Sequence, residues 1–236
     1  MKMKLLFLAA LILLTSAITD NSPVTIYMVG DSTMANRNLA KSPRSKERGW
    51  GMMLGSFFPT DKVVVANHAA SGRSTKSFID EKRWTRVVNQ IKPGDYVFIQ
   101  FGHNDEKKDN PKLYTEPGGT FDDNLRKFVN ETRAKGGIPV LFNSIVRRKF
   151  CQDEAGNFTD SLSDTHGDYL LSPKQIAEEL NVVFIDMNKM THDLVQQMGP
   201  EKSKELYMWA GKKDDTHLNI NCLLYTSPSP RDRQKS

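Results

Sequence analysis

Residues 24–33 read VTIYMVGDST. The first six are apolar, aromatic or β-branched, the pattern of a strand covered on both faces rather than one with a wet side. Gly30, Asp31, Ser32 and Thr33 then supply the small, turn-forming residues that lead a strand into a helix. Counting this run as Val24 to Val29, four more of the same character follow, at Val63 to Ala66, Tyr96 to Phe101, Pro139 to Phe142 and Val182 to Ile185. Segments of helical period separate them, near Trp50 to Phe58, Lys82 to Ile91, Asp122 to Lys135, Tyr169 to Leu180 and Met187 to Met198. On the third, Phe121, Leu125, Phe128 and Val129 form one apolar stripe, and Gly136 with Gly137 ends the helix. Strands alternating with helices predict an α/β domain, a central five-stranded parallel sheet between helical layers. Two long loops, Asp105 to Thr120 and Arg147 to Thr165, are rich in Pro, Gly, Asp and Asn and are expected to meet a substrate rather than fill the core. Residues 18–221 show no internal repeat and no linker.

In an open parallel sheet, ligands bind outside the carboxyl ends of the strands, so the residues after each run carry the functional information. After the first come Gly30 to Thr33, after the second Asn67 to Ser74, after the third Gly102, His103, Asn104 and Asp105. Asp214, Asp215, Thr216 and His217 lie beyond the last strand. A serine hydroxyl at a strand-to-helix turn is exposed and can act as a nucleophile. Gly72 lets a backbone N–H approach an oxyanion, and Asn104 can donate its amide to the same oxygen. Asp214 and His217, three apart in a turn, suit an orienting carboxylate and a base facing Ser32. Taken singly each has a plain reading, as an N-cap serine, a turn glycine, a turn asparagine or a solvated loop pair. Together, in this order and each at a strand end, they describe an acyl-transfer site.

These blocks resemble the four signature blocks of the SGNH or GDSL hydrolase superfamily: Gly30-Asp31-Ser32, Gly72, Gly102 to Asp105, and Asp214 to His217. Within it, the strings from Tyr27 to Met34, Asn67 to Phe78 and Asp214 to Asn219 are similar to rhamnogalacturonan acetylesterases. The resemblance covers residues 24–221. It implies a flavodoxin-like three-layer sandwich, a triad of Ser32, Asp214 and His217, and an oxyanion hole made by the N–H groups of Ser32 and Gly72 and the Asn104 amide. It implies no cofactor and no metal. The expected substrate is an O-acetylated plant cell-wall polysaccharide or oligosaccharide, pectic rhamnogalacturonan foremost. Arg73, Trp50, Tyr207 and Trp209 are the candidate sugar contacts, because aromatic faces and guanidinium forks suit hydroxyls and uronate carboxylates. Two rivals remain open at this point: the same chemistry on a lipid-like or thioester acyl chain, and a non-catalytic carbohydrate-binding relative.

Other polar residues suggest supporting parts. Asp164, Thr165 and His166 echo the later motif, but Ser163 replaces the acid three residues before the histidine, so His166 is expected to be structural. His68, His103 and His192 lack companions at metal spacing. Asp31 and Asp215 are expected to cap turns beside the triad.

The two ends read differently from the middle. Lys2 and Lys4, the apolar run Leu5 to Leu14, and Thr15, Ser16 and Ala17 have the layout of a cleavable signal peptide, with a core too short for a mature membrane span. No cysteine follows the cleavage site to take a lipid. From Cys222 to Ser236 the string CLLYTSPSPRDRQKS has no periodicity, and its first eleven residues can be encoded by the end of a transposase-type sequencing adapter. Native sequence is therefore expected to stop near Asn221, where the resembling family continues into a terminal helix. Without that helix, instability and a poorly held Asp214–His217 loop are expected. The whole chain is formally +5, but residues 18–221 hold 28 basic and 27 acidic side chains. The basic balance is then no argument for nucleic acid or anionic lipid. Only Cys151 remains inside this span, and one thiol makes no internal disulfide. The expected protein is an exported bacterial one, secreted or periplasmic, monomeric, not inserted in a membrane and with no nucleic-acid partner.

Overall fold

A computed structural model describes residues 22–42 and 45–222. The expected leader, and the expected foreign tail apart from Cys222, lie outside the described residues. Seven strands run through the described chain: β1 (Val24–Gly30), β2 (Val63–Asn67), β3 (Tyr96–Gln100), β4 (Ile138–Phe142), β5 (Phe150–Gln152), β6 (Phe158–Leu162) and β7 (Val183–Ile185). Five form one sheet in the order β2-β1-β3-β4-β7, with every pairing parallel. With β7 as fifth parallel strand this is the flavodoxin-like order, whose switch point lies between β1 and β3. The register pairs Met28 with Asn67 and Gly30 with Gln100, so the chain leaves β1, β2 and β3 at nearly one level and the loops open a crevice there.

The helices are α1 (Gly51–Leu54), α2 (Thr75–Asp80), α3 (Arg83–Val88), α4 (Thr120–Ala134), α5 (Leu171–Leu180), α6 (Met187–Lys202) and α7 (Trp209–Lys212). Alternation along the strands assigns the two sheet faces. Tyr27, Val29, Val97 and Ile99 point to one side, where Phe78, Trp84, Phe121, Leu125, Phe128 and Ile176 from α2 to α5 close the main core. Trp84 lies 4.8 Å from Phe128 and Phe101 5.6 Å from the same ring. Side chains of this size, fully buried, contribute about 1.5–3 kcal/mol each. Ile26 and Met28 point to the other side, against Met34, Trp50 and Leu54. A third cluster of Ile145, Val146, Phe150, Val195, Leu206, Tyr207 and Leu218 supports the chain that carries His217.

Several boundaries differ from the sequence reading. The helix expected over Lys82 to Ile91 is the shorter α3, and α2, which the sequence reading missed, precedes it; Lys82, with a left-handed φ of 55°, separates the two. The expected helix over Trp50 to Phe58 is one α-helical turn followed by a 3₁₀ turn at Gly55–Phe57. α6 runs past Met198 to Lys202 across a kink at Gly199, where φ is 72°. The loop expected from Arg147 to Thr165 contains the antiparallel hairpin β5–β6, which packs Phe150 and Leu162 into the third cluster. Strands β2 and β7 are edges rather than strands covered throughout: Val64 is 46% and Val183 57% exposed.

Candidate active site

The crevice at the carboxyl ends of β1, β2 and β3 is a cleft of about 490 Å³ lined by Ser32, Gly72, Asn104, Asp214 and His217, together with Glu47, Lys107 and Arg147. The five residues that the sequence singled out for chemistry thus meet in one place. Ser32 Oγ is 2.9 Å from His217 Nε2, and His217 Nδ1 is 2.8 Å from Asp214 Oδ2. Asp214 Oδ1 accepts the N–H groups of Thr216 and His217 at 2.8 and 3.0 Å. Partial burial pushes the Asp214 carboxyl up, but these backbone donors and the imidazole outweigh it and hold the group below its ordinary value.

The histidine loop is clamped from both sides. Met208 N–H donates to the His217 carbonyl and Arg48 N–H to the Leu218 carbonyl, each at 2.9 Å. Leu218 bridges to Tyr207 and Asn219 to Glu47, while the Asn219 amide donates to the carbonyls of Glu205 and Tyr207. Among the described residues the loop is therefore tied to two chain segments.

The Ser32 turn is fixed by a line of hydrogen bonds from the far sheet face. Trp50 Nε1–H donates to Gln100 Oε1 at 2.7 Å, Gln100 Nε2–H to Thr33 Oγ1 at 3.2 Å, and the Thr33 hydroxyl to Asp31 Oδ1 at 2.7 Å. Asp31 also accepts Thr33 N–H, the turn-capping part expected of it. Asp215 instead pairs with the buried Arg148 guanidinium at 2.7 Å. His103, almost fully buried, stands 3.4 Å from Asp31 Oδ2, and burial pushes its basicity down. His166 is held by Glu106 at 2.9 Å and the Ile145 carbonyl at 3.2 Å, a structural post.

In the same cleft the N–H groups of Ser32 and Gly72 have no acceptor among the described residues. Gly72 has a φ of +75°, a left-handed conformation that disfavours any side chain, and a Cβ there would enter open space rather than collide. Asn104 Nδ2 donates one hydrogen to the Arg73 carbonyl at 3.1 Å and leaves the other for the cleft. The turn bearing it needs Gly102, since φ is +142° and a Cβ would stand 2.4 Å from Ser144 Oγ.

None of the four candidate sugar contacts lines this cleft. Tyr207 is 1% exposed, its hydroxyl given to the Val146 carbonyl. Trp50 is spent on Gln100 and packs against Phe142. Trp209 lies under the Arg148 guanidinium at 4.4 Å. Arg73 turns to Glu81 at 3.1 Å and to the Ser71 carbonyl. The aromatic and guanidinium groups chosen by type are consumed by packing and ion pairs. The cleft wall is instead made by Glu47, Lys107 and Arg147, the last paired with Glu106. Arg37 was also missed: it donates to the Ser32 carbonyl at 2.6 Å and Ser71 Oγ at 2.7 Å, and pairs with Glu47 at 2.7 Å, joining three of the site's segments. Extending the strand-end rule to β4 finds Arg147, five residues past Phe142.

Asp105 anchors the Asn104 turn. Its Oδ1 accepts Thr75 N–H at 2.9 Å and the Thr115 hydroxyl at 2.8 Å, while Oδ2 is buried with no partner among the described residues. Burial pushes its pKa from 3.8 up to about 7. Between those values the unfolded chain has lost this proton and the folded one keeps it, so Asp105 makes stability fall as pH rises through that window. Asp105→Asn, which copies the protonated carboxyl, is expected to flatten this slope. Melting of both proteins at about pH 5 and about pH 8 checks it; an equal loss in the two would contradict it.

Comparison with known proteins agrees with the geometry. The profile of the GDSL-like lipase/acylhydrolase family matches residues 28–220. Rhamnogalacturonan acetylesterase RhgT of Bacillus subtilis is 37% identical over 207 residues, covering 84% of this chain and 83% of the relative. Probable rhamnogalacturonan acetylesterase YesY of the same organism is 35% identical over 194 residues, covering 82% and 84%. The crystal structure of B. subtilis YxiM superposes with a TM-score of 0.73 at 28% identity, over 91% of this chain and 57% of that one.

Proposed function

Since the chain belongs to the GDSL-like lipase/acylhydrolase family, we propose that it is a serine acetylesterase that removes O-acetyl groups from a pectic polysaccharide, rhamnogalacturonan foremost. The observation that carries this reading is the unbroken contact from Asp214 through His217 to Ser32, at 2.8 and 2.9 Å. His217 Nε2 takes the Ser32 proton as Oγ bonds to the acetyl carbon. The carbonyl oxygen, now negative, is received by the N–H groups of Ser32 and Gly72 and the free amide hydrogen of Asn104. As the tetrahedral centre collapses, His217 returns the proton to the departing sugar oxygen and an acetyl ester remains on Ser32. Water, deprotonated by the same imidazole, attacks this ester and releases acetate. Asp214 keeps Nδ1 protonated and steadies the imidazolium.

The wall of Glu47, Lys107 and Arg147 favours a short acyl group on a polar carrier over a long chain, which would need an apolar groove. The similarity to rhamnogalacturonan acetylesterases supports the pectic substrate. Acetate release from a panel of acetylated pectins and xylans, set beside hydrolysis of long-chain esters, tests the reading; preference for long chains would overturn it. Absence of phosphonate labelling at Ser32 would revive a non-catalytic role.

Chelators are expected to leave the rate unchanged. Activity lost to EDTA and restored by a divalent ion would contradict this mechanism.

The same proposal treats residues 1–17 as a cleaved export signal, 18–221 as the catalytic domain, and 222–236 as foreign sequence, in a monomer that is secreted or periplasmic. No helix among the described residues is long and apolar enough to cross a membrane. N-terminal sequencing of exported protein should begin just after Ala17, and independent genomic reads should diverge after the codon for Asn221.

A further inference from the structure

Lys107 is exposed at the cleft wall and, among the described residues, forms no ion pair. The nearest carboxylate in sequence, Glu106, is committed to Arg147 and His166. Its ammonium lies 2.7 Å from Asn104 Oδ1. The turn makes this contact: Lys107 N–H donates to the Asn104 carbonyl at 3.3 Å, which brings the two side chains to the same side.

A carboxamide is nearly symmetric in shape, so only its partners decide which end faces which way. Here the Nδ2 side meets the Arg73 carbonyl, which can only accept, and the Oδ1 side meets an ammonium, which can only donate. A flip of the amide would set N–H against ammonium and oxygen against carbonyl, and it would turn lone pairs toward the cleft. A charged donor on Oδ1 also draws electron density from the amide nitrogen and strengthens its remaining N–H as a donor. We infer that Lys107 is a positioning residue for the oxyanion donor, fixing which end of Asn104 faces the cleft and polarising that N–H. This rests on the esterase reading above, with Asn104 as a donor.

The test uses the full chain and p-nitrophenyl acetate, a neutral ester with no carboxylate for a lysine to hold. Lys107→Met is expected to lower kcat about tenfold, short of the roughly 10²-fold for deleting a donor, with KM moved less than about twofold. Both acylation and deacylation use the same hole, so either limiting step reports it. Lys107→Arg keeps a charged donor and should restore kcat to within about threefold of the wild type. In an Asn104→Ala background, Lys107→Met should cost less than about twofold more, because its target is gone. Melting should be unchanged, since the side chain is exposed.

Wild-type kcat in Lys107→Met would overturn the inference, as would an equal loss in both backgrounds. So would a loss confined to KM on uronate-bearing substrates, which would make Lys107 a substrate contact. Ser32→Ala is the control for the underlying reading: if it keeps full activity, the esterase assignment fails. If Ser32→Ala is inactive and Lys107→Met normal, only the role of Lys107 fails.

Discussion

Ser32→Ala, His217→Ala and Asp214→Ala are each expected to lose roughly 10⁴- to 10⁶-fold in kcat, and the triple variant little more than Ser32→Ala alone. Without the Oγ there is nothing for the imidazole to deprotonate, and without the imidazole Oγ stays a weak nucleophile. Asp214 is expected to act on both, through two sets of contacts. Its Oδ2 receives Nδ1, which sets the tautomer, and its Oδ1 accepts the N–H groups of Thr216 and His217, which sets the loop. Asp214→Ala removes both. Asp214→Asn can keep the loop contacts through Oδ1 while presenting an N–H to Nδ1, which forces the proton to Nε2 and blocks acceptance from Ser32. It is therefore expected to fold like the wild type and still lose about 10⁴-fold. Kinetics of the three single variants, the triple and Asp214→Asn check this; losses that multiply across the triad would contradict a coupled unit.

The central sheet was readable because its strands are short apolar runs, and Tyr27, Val29 and Ile99 must be buried whatever surrounds them. The hairpin β5–β6 was not, because most of its side chains face solvent and it is held by backbone pairing with two apolar anchors, Phe150 and Leu162. Helix α2 escaped for another reason. Its capping box joins Ser74 to Ser77, where the usual sequence signature has Glu or Gln at the third position. The break before α3 depends on Lys82 in a left-handed conformation, which nothing in a lysine announces.

The site shows a sharper divide. Ser32, Gly72, Asn104, Asp214 and His217 could be found because the topology fixes where strand ends go, and each follows a strand end or carries a base-and-carboxylate spacing. Trp50, Tyr207, Trp209 and Arg73 were chosen by chemical type, and type does not say which way a side chain points. Trp50 starts the hydrogen-bond line that ends on Asp31, so it supports the Ser32 turn from behind rather than a sugar in front. Lys107 and Arg147 lie in the two loops expected to meet a substrate, but their type does not single them out within those loops, and Glu47 lies outside both; the three form the wall of the cleft.

Asn104→Ala is expected to lower kcat by roughly 10²- to 10³-fold with little change in KM, the cost of one lost oxyanion donor. The ground-state ester carbonyl is a weak acceptor and the tetrahedral oxyanion a strong one, so the bond matters mainly in the transition state. The substitution also strips the Arg73 carbonyl and the Lys107 ammonium of a partner. Both can turn to water at the cleft, so a stability loss of about 1 kcal/mol is expected, too small to account for the rate. Asn104→Asp separates shape from charge. It has the same outline, and Lys107 can still pair with it, but the end facing the cleft becomes an acceptor that repels the oxyanion. Its kcat is expected to fall below that of Asn104→Ala, although its side chain fills the space that alanine leaves empty. An unchanged rate in Asn104→Ala, or a faster Asn104→Asp than Asn104→Ala, would remove this amide from the oxyanion hole and leave the two backbone N–H groups as its donors.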